Sequence, residues 1–361
     1  MDAPVDVTRV IAKLEPGGAQ IAAFRLSAGL RRHGIETRLI AGDSTPEGVR
    51  LAREYGLEPE CFNDRLTGLQ WTPSPRFAAW LAPRLAGADL VHAHMFGAWW
   101  AAAGVVPAGV PLVASEHNAY NWPGASYDRE LRAALPRIDR FYAHGPHAME
   151  YLRAAGMPPK RLRKGRSSID GLCRPLPDLP SPRIVYVGRL APDKGPDVLV
   201  DALALLPHPA PAFVVGEGRM RTALERRVRE LGLAQRVTFT GWQREPGGWV
   251  AGATMLVAPS REEAWSQTVV RAMVLRTPVV AAAVEGLPAV LADGRGILVP
   301  PEDPPALARA MTEVLAGRRP DLAAAYDYAS AFTAERAAAE YAAAYRELMP
   351  GIVTVTPATS R

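Results

Sequence analysis

The sequence predicts an α/β protein built from two domains, each a parallel sheet with helices on both faces. Three observations carry this. Short apolar runs recur along the chain, each followed by a stretch of helical pattern. The breaks between them are short, as in βα and αβ connections. A segment from Leu172 to Pro182 holds four prolines in eleven residues and divides the pattern in two; that density favours an extended, semi-rigid connector. A length of 361 residues suits two domains.

Taken in order, Val7–Leu14 reads as a strand and Gly17–His33 as a helix anchored by Ile21, Leu26 and Leu30. Glu36–Ala41 is a second strand and Pro46–Tyr55 a second helix. Ala88–His92, Val110–Ser115 and Arg140–Ala143 are short buried strands, the continuous apolar type found in parallel sheets. After the connector, strands are expected at 183–188, 211–215, 236–240, 254–258, 278–282 and 297–299. Asp303 caps a helix that runs from Pro304 to Ala316, with Pro304 at its first position. The alanine-rich stretch Leu322–Leu348 reads as one helix, and 350–361 as a frayed tail. The domains are therefore 1–175, with 322–348 returning to it, and 176–321.

Composition narrows the function classes. With 48% hydrophobic and 22% charged residues, the chain has enough apolar material for ordinary globular cores. Its net charge of +5 is scattered, without long basic runs. Lys160–Arg166 reads as a solvated strand or turn edge, because no nucleic-acid recognition motif accompanies it. A basic excess suits an anionic small ligand. Cys61 and Cys173 lack metal-ligand spacing and read as buried thiols of a reducing, cytoplasmic compartment. The first residues are acidic where a signal peptide is basic. The uncharged stretch Met95–Ala114 is broken by Pro107, Gly109 and Pro111, which argues against a membrane span.

Four motifs fall at strand ends, the rim where open parallel sheets bind ligands. Gly17 and Gly18 open a helix. They permit close approach of backbone to ligand, or simply make a tight turn. The G-x-G-x-x-G spacing of dinucleotide sites is missing there and at Gly216-Glu217-Gly218-Arg219, which disfavours a nicotinamide oxidoreductase. His117, in Ser115-Glu116-His117-Asn118, either contacts a sugar hydroxyl or reacting centre, or is a loop histidine satisfied by backbone. His92 and His94 read as structural. Arg189 and Lys194 flank a turn after a strand and suit a diphosphate, one as a planar fork and one as a point charge. No D-x-D element is present, so these cations would stand in for a divalent metal. Glu263 precedes a helix expected to start near Trp265. Its carboxylate can accept from sugar hydroxyls, while the amides of Ala264, Trp265, Ser266 and Gln267, with Thr268 following, would face phosphates. The bland alternative is an acidic residue in a helix's first turn.

With Gly17-Gly18-Ala19-Gln20, His117, Val187-Gly188-Arg189, Lys194-Gly195, Gly216-Glu217-Gly218, Phe239-Thr240-Gly241-Trp242, Pro259-Ser260 and Glu263, Thr277–Val280 and Gly286-Leu287-Pro288 in order, the chain resembles the family-4 retaining glycosyltransferases. The resemblance implies GT-B architecture: two Rossmann-like parallel-sheet domains facing a cleft, an N-terminal acceptor domain, a C-terminal nucleotide-sugar domain and a final helix crossing back. It implies retention at the anomeric carbon without metal or other cofactor. Family roles fall on His117 near the donor sugar, Arg189 and Lys194 on the diphosphate, and Glu263 on the sugar hydroxyls. Gly17, Gly18, Gly188, Gly216 and residues 264–268 would line the donor. The family's second glutamate, eight residues after the first, is Arg271 here, so that position either donates to ribose or phosphate or turns into an ion pair.

The sequence is similar in overall style to transferases of actinobacterial aminoglycoside-antibiotic pathways. That implies a UDP-linked donor and an aminocyclitol pseudodisaccharide acceptor. Glu15, Gln20, Glu116, Tyr120 and Trp122 would meet such an acceptor, carboxylates suiting amino groups and aromatic faces suiting rings. Polysaccharide or lipid-linked acceptors, and a nucleotide-sugar epimerase of the same architecture, are the alternatives.

Overall fold

The computed structural model describes residues 5–117, 128–165, 167–169, 173–176 and 178–349. The chain divides into two units, 1–168 with 334–361, and 169–333. The division falls ahead of the proline-rich connector rather than inside it.

The first unit holds β1 (Val5–Leu14), β2 (Ile35–Ser44), β3 (Pro59–Asn63), β4 (Leu90–His94), β5 (Leu112–Glu116), β6 (Arg140–Ala143) and β7 (Leu162–Lys164). They form one parallel sheet in the order β3-β2-β1-β4-β5-β6-β7. The order reverses between β1 and β4. Strands β4 and β5 are buried along their whole length, as strands covered on both faces must be. One face packs Phe77, Phe96, Trp99 and Phe141; the other packs Leu26 and Leu30 against Tyr341 and Tyr345. The helix Gly18–Leu30 meets the final helix Ala334–Leu348 closely: a Cβ on Gly29 would lie 2.7 Å from that of Ala338. Met95–Ala114 forms a helix, Phe96–Val105, and the start of β5; no helix among the described residues is long and apolar enough to cross a membrane.

The second unit holds β8 (Ile184–Val187), β9 (Ala212–Val215), β10 (Val237–Gly241), β11 (Met255–Ala258), β12 (Val279–Ala282) and β13 (Ile297–Val299). These too are parallel, in the order β10-β9-β8-β11-β12-β13, with the reversal between β8 and β11. The helix Pro304–Leu315 begins as expected, with the Asp303 carboxylate accepting from the Ala306 amide at 2.8 Å.

Three expectations are corrected. Leu322–Leu348 is two helices, Leu322–Ser330 in the second unit and Ala334–Leu348 in the first. The break is built by Phe332, which packs on Trp265 and Tyr328, and by Thr333, which bridges to Ile169. The helix before Val274 starts at Gln267, not near Trp265. Cys61 and Cys173 are free thiols but only half-buried. The tail 350–361 lies outside the described residues.

Candidate functional site

The strand-order reversal of the second sheet is where its loops converge, and β8 and β11 are neighbours there. The loop after β8 carries Arg189 and Lys194; the loop after β11 carries Glu263. Gly195 lets the two loops touch. Its φ is 59°, and a Cβ there would fall 2.1 Å from the Pro259 carbonyl oxygen. The Asp193 carbonyl then accepts the amides of Arg261 (2.9 Å) and Glu262 (3.1 Å), and Arg261 grips Asp197 with two nitrogens, at 2.7 and 3.0 Å.

This joint sets the charges. Lys194 Nζ lies 2.9 Å from Glu263 Oε2, 3.2 Å from the Glu262 carbonyl and 3.8 Å from Asp193. Arg189 is largely exposed and donates to the same Asp193 carboxylate at 2.7 Å. Glu263 Oε1 accepts the Ser266 amide at 3.1 Å. Ser266 holds a left-handed backbone, φ 57°, and its Oγ caps the helix Gln267–Val274 by accepting from Val269. Two cations, two carboxylates and a capped helix start thus share one rim. Such a set suits a diphosphate carrying a hydroxylated group.

Several expected donor contacts are placed differently. Trp265 is buried against Phe332, and the Ser266 amide is already taken by Glu263. Gly216 packs on the loop after β8, where a Cβ would lie 1.9 Å from the Gly188 carbonyl oxygen. Gly188, Ala264, Gln267 and Thr268 are half-buried near the rim. Arg271 is 8% exposed, its Cδ running beside Gly247. The nearby Glu263 carboxylate, one candidate for an ion pair with it, is engaged with Lys194 and Ser266.

In the first unit, Gly17 and Gly18 open their helix after β1 as expected. Gln20 folds back rather than outward: it is buried, its Nε2 donates to the Lys13 carbonyl at 2.9 Å, and its amide oxygen crowds Gly17. Glu15 pairs with Lys13 at 2.5 Å. Glu116 turns inward as well, accepting from Trp99 Nε1 (3.2 Å) and from the His117 amide (3.0 Å). Tyr120 and Trp122 lie outside the described residues.

His117 does not stand alone. His94 ends β4, His117 follows β5 and His144 follows β6, so three successive strand ends each deliver one imidazole. Their rings stack, His94 on His117 at 5.8 Å and His117 on His144 at 4.0 Å, with His92 behind His94 at 4.2 Å. Arg9, fully buried, donates to His94 Nε2 at 2.6 Å and His92 Nδ1 at 3.3 Å. Guanidinium only donates, so His92 Nδ1 accepts and its Nε2–H serves Ser115 Oγ at 2.8 Å. Burial, reinforced at His92 and His94 by the Arg9 charge, holds His92, His94 and His144 well below the usual histidine range. Burial of the His117 ring takes that residue down to about 4. All four are neutral at pH 7. Among the described residues, His94 Nδ1, His117 Nε2 and His144 Nε2 have no hydrogen-bond partner.

Sequence reasoning missed Asp193, the counter-ion of both cations, although it stands between them in the same turn. It missed the histidine stack beyond His117, whose signal was the recurrence of histidine at three strand ends. It also missed Glu285, after β12, whose carboxylate accepts the Glu263 amide at 3.1 Å and is pushed by burial up to about 7.

Two parallel-sheet Rossmann-like units with a charged site at one switch point define a GT-B protein. The structure of Anabaena HepE in complex with UDP agrees: it superposes with a TM-score of 0.78 at 20% identity, covering 95% of this chain and all of that one. The family described as Glycosyltransferase Family 4 matches residues 16–164, and Glycosyl transferases group 1 matches 181–333. A D-inositol 3-phosphate glycosyltransferase of Streptomyces scabiei is 30% identical over 318 residues, 75% of this chain and 70% of that protein. The alpha-D-kanosaminyltransferase of Streptomyces kanamyceticus is 33% identical over 140 residues, 37% of this chain and 36% of its own length. Against the D-inositol 3-phosphate glycosyltransferases of Jonesia denitrificans and Mycolicibacterium gilvum the match spans 42% and 37% of their lengths. The chain belongs to the family-4, group 1 glycosyltransferases.

Proposed function

We propose that the protein is a cytoplasmic glycosyltransferase that moves a sugar, with retention and without metal, from a UDP-linked donor to a small hydroxylated acceptor. The observation that carries this is the contact between Lys194 and Glu263, with Arg189 beside them, at the reversal point of the second sheet. Arg189 and Lys194 bind the diphosphate and stabilise the charge it gains on leaving. Glu263 accepts from the donor sugar's hydroxyls, and half-buried Gly188, Ala264, Gln267 and Thr268 lie along the nucleotide. Arg271 takes the place of a second glutamate on that helix. Neutral His117, whose Nε2 has no partner among the described residues, serves the transferred sugar.

The acceptor we favour is an aminocyclitol pseudodisaccharide of antibiotic biosynthesis. It is supported by the likeness to a protein named for kanosaminyl transfer. A second reading, an inositol phosphate acceptor, is favoured by the longer match to the Streptomyces scabiei protein. Incubation with a panel of UDP-sugars and both acceptors, read by mass spectrometry, separates the two. Anomeric coupling constants of the product test retention. Conversion of the donor alone to an epimer would contradict a transferase.

A further inference from the structure

We propose that Glu285 is a positioning residue, one that fixes Glu263 in the orientation the donor sugar meets. The inference rests on the reading of Glu263 given above. Glu285 follows β12 and holds a left-handed backbone, φ 43°, which a non-glycine residue adopts only under strain. It is also partly desolvated, which makes its carboxylate costly to ionise. Stability alone favours glycine at this position.

What the glutamate provides is a grip on its neighbour. Its Oε2 accepts the Glu263 N–H at 3.1 Å, and the next residue, Gly286, donates its own N–H to the Glu263 carbonyl at 3.2 Å. Gly286 is pressed so close that a Cβ would lie 1.9 Å from the Ala264 carbonyl oxygen. Both main-chain groups of Glu263 are therefore held by residues 285 and 286. Both of its carboxylate oxygens are held by Ser266 and Lys194. Removing the Glu285 acceptor releases one of the two backbone restraints and leaves Glu263 to pivot about the other.

Calorimetry with UDP, UDP-glucose, UDP-galactose and UDP-N-acetylglucosamine measures how much the sugar adds to affinity. Glu285→Gly is expected to cut that increment about tenfold, the loss of one hydrogen bond's worth of ordering. UDP affinity should stay unchanged and the melting temperature should not fall, since glycine accepts this φ freely. Glu285→Gln, which keeps an acceptor oxygen, should restore most of the increment. Loss of UDP affinity together with a lower melting temperature in Glu285→Gly would make the residue a structural support and overturn the proposal. An intact increment in Glu285→Gly, with Glu263→Gln abolishing it, would overturn the clamp alone. No increment in the unaltered protein, or one that survives Glu263→Gln, would overturn the reading of Glu263 and the clamp with it.

Discussion

Lys194 is shared between Glu263 and, at longer range, Asp193, while Arg189 leans on Asp193 alone among the ion pairs at this rim. On the function proposed above, a diphosphate draws Arg189 away from Asp193, a pair whose arginine side is largely exposed. Exposed pairs of this kind contribute about 0–1 kcal/mol to stability, so removing Arg189 costs the fold little. Arg189→Ala should lower turnover on the order of a hundredfold with an unchanged melting temperature; equal turnover would remove it from the leaving-group site. Arg271 contrasts with it, being buried. Arg271→Ala should destabilise the protein by about 1–3 kcal/mol, the cost of stranding a buried polar partner, read as a drop in melting temperature. Glu285 predicts a pH effect of opposite sense to an ordinary salt-bridged carboxylate. Its folded pKa is raised to about 7, so its stabilising contribution is complete below its usual value of 4.5 and lost as pH rises through 7. Glu285→Gln should therefore raise the melting temperature more at pH 8 than at pH 4.5.

At the scale of elements, the histidine stack joins three strand ends into one rim. Its imidazoles take up protons near 6.5 in the unfolded chain but only far lower when folded. Between those values the unfolded state binds more protons, so stability falls as pH falls. Thermal melts should be level from pH 8 to 6.5 apart from the Glu285 effect and decline steeply toward pH 4; replacing His144 by Phe should soften that decline. The central strands were legible in the sequence because an apolar run buried on both faces has no other easy home. The edge strand β3 was not, since Pro59–Asn63 carries polar residues that suit an edge, whereas β7 falls inside Lys160–Arg166, which reads as a solvated strand or turn edge. The break between 330 and 334 was invisible because alanine-rich flanks favour helix on both sides, and only the packing of Phe332 decides it. Arg189, Lys194 and Glu263 were legible because strand-end chemistry leaves a local pattern. Arg9 and Glu285 act through partners far along the chain, and no local pattern reports that; Asp193, whose carboxylate meets Arg189 and Lys194 in its own turn, left a local signal that was passed over. Gly195→Ala should separate the two loops of the site and destabilise by more than about 1 kcal/mol, the penalty for a left-handed alanine.

For the molecule as a whole, each unit carries its own sheet and its own rim of chemistry, neutral histidines on the first and paired charges on the second. On the function proposed above, the charged rim of the second unit binds the nucleotide diphosphate without help from a metal ion. Calorimetry of UDP binding in the presence of EDTA, with the unaltered protein and with Lys194→Ala, tests this most directly. Binding is expected in EDTA, and it should not strengthen when Mg²⁺ or Mn²⁺ replaces the chelator. The affinity should be at least tenfold weaker in Lys194→Ala, about the worth of a charge-assisted hydrogen bond. Binding that appears only with a divalent cation, or an affinity untouched by the substitution, would contradict it.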